Sequence, residues 1–255
     1  MCGISTGMMS ASENSQRAAD TGVVPFVYEP DTLDNFEIGV KSRLADGRAV
    51  LNVTAFSMQW DNIQINQGGV GGQWWLRGTI NGGKAENKGV EVNATWQATD
   101  RLYLEASAFF GNPEFTEPIQ RIDDVVPAGS PMVWSPEQKY KLAIEYQVPG
   151  VLGGDMWLRY DHSYEGEKWR DLDDIVANDP NGIASSWSIG NAHVGLSYDS
   201  GWSVTLDVLN VWDEKAENWL INDYSAALFG DPRFSHERSY SKPTTVGLSV
   251  TKRFD

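Results

Sequence analysis

The sequence predicts an all-β chain, an antiparallel, up-and-down transmembrane β-barrel wall of about nine strands. Three observations predict it. From Leu33 onward most stretches alternate apolar and polar residues with a period of two, the spacing that sends successive strand side chains to opposite faces. The links between these stretches are short and long by turns. Charged residues share the parity opposite to the apolar one, where a sealed soluble core would make them costly and a water-filled or plugged lumen would not.

Taken in order, residues 1–20 (MCGISTGMMSASENSQRAAD) are polar, rich in Ser and Ala and aperiodic, and are expected as a disordered leader. Residues 21–32, with Pro25, Pro30 and Asp31, read as a loop. Nine strands follow, at about 33–44, 48–65, 76–98, 102–112, 138–148, 155–165, 186–198, 202–211 and 242–254. In the third, Val90, Val92, Ala94 and Trp96 oppose Glu91, Asn93, Thr95 and Gln97. In the fifth, Tyr140, Leu142, Ile144, Tyr146 and Val148 oppose Lys141, Ala143, Glu145 and Gln147. Trp202, Val204, Leu206 and Val208 repeat the pattern in the eighth. In the last, Val246, Leu248, Val250 and Phe254 face one way, and Gly247, Ser249, Thr251 and Arg253 the other. The second strand is mixed: Phe56, Met58 and Trp60 have the opposite parity to Leu51, Val53 and Ala55.

The connections carry more than the strands. Ala45-Asp46-Gly47, Thr99-Asp100-Arg101, Pro149 to Gly154 and Asp199-Ser200-Gly201 are tight, turn-forming links. Between them lie longer segments near 66–75, 113–137, 166–185 and 212–241. A soluble sandwich has no reason to gather its short turns at one end. An outer-membrane barrel does, with short periplasmic turns and long outer loops. Tyr140, Tyr146, Tyr160, Trp96, Tyr198 and Trp202 lie toward strand ends, where barrels carry interfacial aromatic girdles.

The totals agree with that wall. A mean hydropathy of -0.39 fits both a soluble protein and a barrel, because alternation averages away along each strand. A formal charge of -15 argues against nucleic acid, whose phosphates need a basic footprint. Cys2 is the only cysteine, so no disulfide framework or thiolate metal site is expected. Met1 to Asp20 has neither the basic start nor the apolar core of a secretory signal, so either the chain is cytoplasmic or its natural N-terminus is missing.

Pro30 to Lys41, Leu51 to Gln64, Asn81 to Val92, Asn210 to Asp213 and the late Phe254, in that order along the chain, together resemble the TonB-dependent receptors of the Gram-negative outer membrane. Pro30 to Lys41 (PDTLDNFEIGVK) is similar to that family's proline-led strand ending Glu-apolar-Gly-apolar-Lys. Leu51 to Gln64 and Asn81 to Val92 resemble the next two strands, and Asn210-Val211-Trp212-Asp213 the close of the penultimate one. Phe254 stands where the terminal aromatic belongs; Lys252 and the trailing Asp255 depart from the pattern. The resemblance implies a 22-stranded barrel with an N-terminal plug, of which residues 21–255 supply the C-terminal portion. No plug, TonB-contacting box or signal can be found in the sequence, so a truncated, split or internally started receptor is expected, with an unpaired edge at 33–44. It further implies active uptake of a scarce small-molecule ligand such as a ferric siderophore. The expected partners are outer-membrane lipid, the barrel-assembly machinery and, only through a plug, the TonB energy-coupling protein.

Catalytic patterns are poor, and neither enzymatic activity nor a cofactor is expected. His162, His193 and His236 lie in separate segments without metal-ligand spacing. Asp161 and His162 are strand neighbours, so their side chains diverge. Asp171, Asp173, Asp174 and Asp179 lack the spacing of a calcium loop and read as solvated acid. Trp74, Trp75, Trp134, Trp169 and Trp219 lie in or beside the long loops, where indoles could stack on a ligand or simply pack the loops. Arg121, Lys168, Arg170 and Arg233 are candidates to hold an anionic ligand there. Two rivals remain: a soluble β-sandwich binding glycans through loop tryptophans, and a small outer-membrane barrel enzyme.

Overall fold

The structure is a computed structural model that describes residues 2–9, 12–68, 70–73, 76–122, 124–221 and 237–254. One ten-stranded sheet runs through it, with spatial order equal to chain order. Its strands are β1 (Cys2–Met9), β2 (Asp31–Leu44), β3 (Ala49–Gln67), β4 (Gly78–Gln97), β5 (Leu102–Phe115), β6 (Gln138–Val151), β7 (Gly154–Glu165), β8 (Trp187–Ser197), β9 (Trp202–Leu209) and β10 (Thr245–Lys252). Every neighbouring pair is antiparallel. Among the described residues, no helix is long and apolar enough to cross a membrane, which says nothing of β-strands.

β2 to β10 correspond to the nine expected strands. β1 was not expected. The aperiodic leader hides a weak alternation in which Cys2, Ile4 and Thr6 share one parity and Gly3, Ser5 and Gly7 the other. Ile4 lies opposite Phe36, and the free edge of β2 supplies the ladder that residues 2–9 could not hold alone. The edge expected to be open at 33–44 is therefore covered, and the open lateral edges are β1 and β10.

Register makes the outward face continuous. Trp96, Leu104, Ile144, Tyr160, Ala192, Val208 and Val246 lie side by side across seven strands. Phe36, Ile38 and Val40 extend the same face on β2. No second layer covers it among the described residues: Val246, Leu248 and Val250 are 66%, 70% and 58% exposed. A soluble sandwich would bury these residues, so the glycan-binding sandwich is not the architecture found.

The opposite face is polar. Arg159 lies 3.7 Å from Glu105, 3.7 Å from Glu145 and 3.9 Å from Asp161. His193 accepts or donates at both ring nitrogens, to Asp161 at 3.2 Å and Asp207 at 2.7 Å. Aromatic rings on this wall lie over glycines: a Cβ on Gly195 would sit 2.2 Å from the Trp157 ring, and one on Gly89 would sit 2.6 Å from Phe56, which stacks on Phe109.

The water-excluding core lies elsewhere, in the connections at one end. β3 and β4 run for 19 and 20 residues, well beyond the 9–11 a tilted strand needs to span hydrocarbon. Near the upper end Asn62 and Gly83 both take left-handed backbone, and a Cβ on Gly83 would collide with Ile119. Ile63, Ile65 and Ala85 pack there with Phe115, Ile119 and Val126. The mixed parity of the second expected strand follows: Leu51, Val53 and Ala55 belong to the outward band, whereas Trp60 packs against the core under the loops. Helix α1 (Gln16–Ala19) brings Ala18 to a second cluster with Val24, Val70 and Leu76. Helix α2 (Leu172–Ala177) presses Leu172, Ile175 and Val176 onto the first.

Candidate functional site

The long connections are the part of the molecule with loop geometry, charge and indoles together. They form one cap because ion pairs tie them to each other. Arg121, in the connection between β5 and β6, pairs with Asp124 at 2.5 Å and also with Asp173 of α2 in the next long connection. The hydrogen bonds that the Arg121 guanidinium donates to Asp124, opposed by burial and helped by Asp173, hold it above its ordinary pKa. Arg170 reaches Glu217, beyond β9, at 2.5 Å, and donates to the Asn181 carbonyl. Their side chains are 2% and 7% exposed, so this pair is enclosed by protein. Residues 166–185 are thus pinned on two sides.

The acidic group in that segment has structural work. Asp171 caps α2 by accepting from the Asp173 backbone N–H, and Asp179 accepts from the Asn181 N–H at the turn that follows. Asp173 faces Arg121. Among the described residues no group of His, Cys, Asp and Glu is arranged to hold a metal ion.

Of the expected tryptophans, two come together. Trp134 holds a left-handed backbone and donates its N–H to the Trp169 carbonyl at 2.8 Å. Lys168 places its ammonium 5.2 Å from the centre of the Trp134 ring and also pairs with Glu165. Trp169 lies in a short strand pair, Lys168–Trp169 with Ile183–Ala184. Beside it opens a cavity of about 270 Å³ whose lining includes Glu137, Tyr164, Lys168, Trp169 and Ser186. Its polar rim and single indole suit a small polar ligand. Trp219 pairs by backbone with Ser239 in a separate hairpin. Trp74, Trp75, Arg233 and His236 lie outside the described residues.

Asp161 and His162 diverge, as adjacent strand residues must. Asp161 joins His193 on the inner face, and His162 bonds Tyr160 and Ser188 on the outer one. The inner cluster of Asp161, His193 and Asp207 escaped sequence reasoning; shared parity on three neighbouring strands was the available signal. The Asn210 to Asp213 segment has a clear role. Buried Asn210 donates its side-chain amide to the Glu214 and Lys242 carbonyls at 2.8 and 2.9 Å, and Asp213 accepts from the Thr244 N–H. It fastens the exit of β9 to the entry of β10. Phe254 follows β10 and is 84% exposed.

Comparison with known proteins gives one family. Residues 3–211 match the family described as TonB dependent receptor-like, beta-barrel. The chain is 24% identical over 221 residues to the ferripyoverdine receptor of Pseudomonas aeruginosa, covering 81% of this chain and 24% of the receptor. It therefore spans about a quarter of the length of that curated relative. Among solved structures, the ferric yersiniabactin uptake receptor of Yersinia pestis superposes with a TM-score of 0.71 at 16% identity, over 98% of this chain and 34% of that one. The pyoverdine outer membrane receptor of Pseudomonas aeruginosa, bound to pyoverdine, gives 0.67 at 17% identity, over 99% and 33%. The ferric preacinetobactin receptor of Acinetobacter baumannii gives 0.67 at 14%, over 98% and 33%.

Proposed function

Because the chain belongs to the TonB-dependent receptor β-barrel family, whose members lie in the Gram-negative outer membrane, we propose that it forms the C-terminal part of a barrel for active uptake of a scarce ligand such as a ferric siderophore. The observation that carries this is the two-faced wall: an unbroken apolar band outward, and Arg159, Asp161, His193 and Asp207 inward. Lipid meets the first face and the lumen the second. We place residues 21–255 in this barrel portion, with the strand at residues 2–9 beside it.

The ligand reaches the receptor through the outer cap. Trp169 and Lys168 line its cavity, Trp134 lies under the Lys168 ammonium, and these three are our candidates for ligand contact; Trp74, Trp75 and Trp219, in or beside the other long connections, are further candidates. Arg170 acts instead by holding the cap together through Glu217, and Phe254 serves as the terminal aromatic for the assembly machinery. Energy comes from TonB through a plug domain, and the chain carries out no bond chemistry of its own. Names of the relatives supply the ligand class: ferripyoverdine, ferric yersiniabactin and ferric preacinetobactin are all ferric chelates.

The test begins with a Gram-negative host carrying the coding sequence with its natural upstream region. The product should sediment with the outer membrane, and ferric siderophores should quench tryptophan emission of the purified protein, less so in Trp134→Phe with Trp169→Phe. Recovery in the cytosol, or emission indifferent to every ferric chelate, would sink the proposal.

A further inference from the structure

The two connections that meet at the cavity beside Trp169 share a charge imbalance. Residues 113–137 carry five carboxylates and one cation, Arg121, and residues 166–185 carry five carboxylates and two cations, Lys168 and Arg170. All three cations are engaged within the protein. Arg121 is held by Asp124 and Asp173, Arg170 by Glu217, and Lys168 by Glu165. The field over this part of the cap is therefore negative and draws cationic solutes toward it.

The cavity gives that field a place to act. Glu137 and Glu167 stand in its lining, are exposed, and take no ion pair among the described residues. Lys168, in the same lining, does not cancel them. Its ammonium bonds Glu165, and even with Lys139, which reaches that carboxylate at 3.2 Å, three carboxylates face two ammoniums. Trp169 and Tyr164 add aromatic rings, whose faces attract a cation. The protein already houses one ammonium in this way, since Lys168 lies between Glu165 and the Trp134 ring, 5.2 Å from its centre. At about 270 Å³ the space suits one arm of a ligand, being smaller than the roughly 300–1,000 Å³ of pockets that enclose a whole drug-sized molecule.

We propose that this cavity binds a primary ammonium or guanidinium group, the positively charged arm of the chelate that the barrel takes up. Glu137 and Glu167 pair with the charge, and Trp169 and Tyr164 cover its alkyl or aryl stem. The inference rests on the uptake reading above and names the part of the ligand that the cap selects.

The test uses the full chain in a deuterated neutral detergent and three probes of one shape: benzylammonium, benzyl alcohol and benzoate. Saturation-transfer NMR reads their affinities. Benzylammonium should bind about tenfold more tightly than benzyl alcohol, as a ring contact and an exposed ion pair together allow, and benzoate should bind most weakly. Raising the salt to about 1 M, where the Debye length is about 3 Å, should close most of the gap. Glu137→Gln with Glu167→Gln should abolish the preference, and Glu167→Gln alone should cut it about threefold. Asp46→Asn with Asp199→Asn takes as much charge from two tight turns and should leave it intact. Equal affinity for the three probes, tighter binding of benzoate, or a preference indifferent to Glu137 and Glu167 overturns the cation site and leaves the uptake reading standing. Selective binding of benzylammonium by a chain whose tryptophan emission ignores every ferric chelate overturns the uptake reading, and with it the assignment of that cation to a chelate.

Discussion

Arg170 shows how much one guanidinium can hold in place. It lies enclosed against Glu217, forty-seven positions along the chain, and its loss would strand a buried carboxylate. Arg170→Met should cost about 3–5 kcal/mol of local stability, and adding Glu217→Leu should restore most of it, because the second change removes the stranded charge. Amide hydrogen exchange across 166–185 and 212–221 reads both effects. Arg121 makes the complementary pH statement. Its folded-state pKa is raised, by Asp124 first, so its contribution is whole below the ordinary arginine value and fades only as pH climbs past it. From the arginine side, then, protection of the 116–137 connection should stay flat between about pH 6 and pH 9, whereas Arg121→Ala should release it at every pH in that range.

The strand is the element that tolerates substitution on one side only. Leu248 and Ser249 are neighbours on β10, one on the lipid face and the other toward the lumen. Leu248→Arg should destabilise the sheet by about 2–4 kcal/mol in chemical unfolding from phosphatidylcholine vesicles, and Ser249→Arg by well under half of that. Such strands were legible in the sequence because hydrocarbon outside and water inside impose a strict period of two, as the row from Trp96 to Val246 shows. β1 was not legible, since Gly3, Ser5, Thr6 and Gly7 carry almost no hydropathy contrast and its pairing comes from β2. The cap was legible only as loops. Its contacts, such as Ile65 with Ile119 or Arg121 with Asp173, join residues far apart in the chain and obey no period. The tryptophans could be named from sequence, but the Trp134–Trp169 backbone bond that brings two of them together could not.

At the scale of the whole molecule, the sheet exposes a broad apolar band and two lateral edges, β1 and β10. Both invite association when no lipid is present. Expressed and extracted without detergent, the chain should pellet, and detergent should return it to solution with its β circular dichroism; a monodisperse detergent-free monomer would contradict the band. The even number of strands also sets direction: β1 and β10 run oppositely, so an antiparallel ladder can continue from either edge with every tight turn still on one side.

The placement of Ile63, Phe115, Ile119 and Val126 above the wall has a last consequence. Anchoring depends on residues that face fatty acid, and the shape of the mouth depends on a separate greasy knot that never touches it. Selection can therefore rewrite the mouth, knot and all, while the part that grips the bilayer stays as it was.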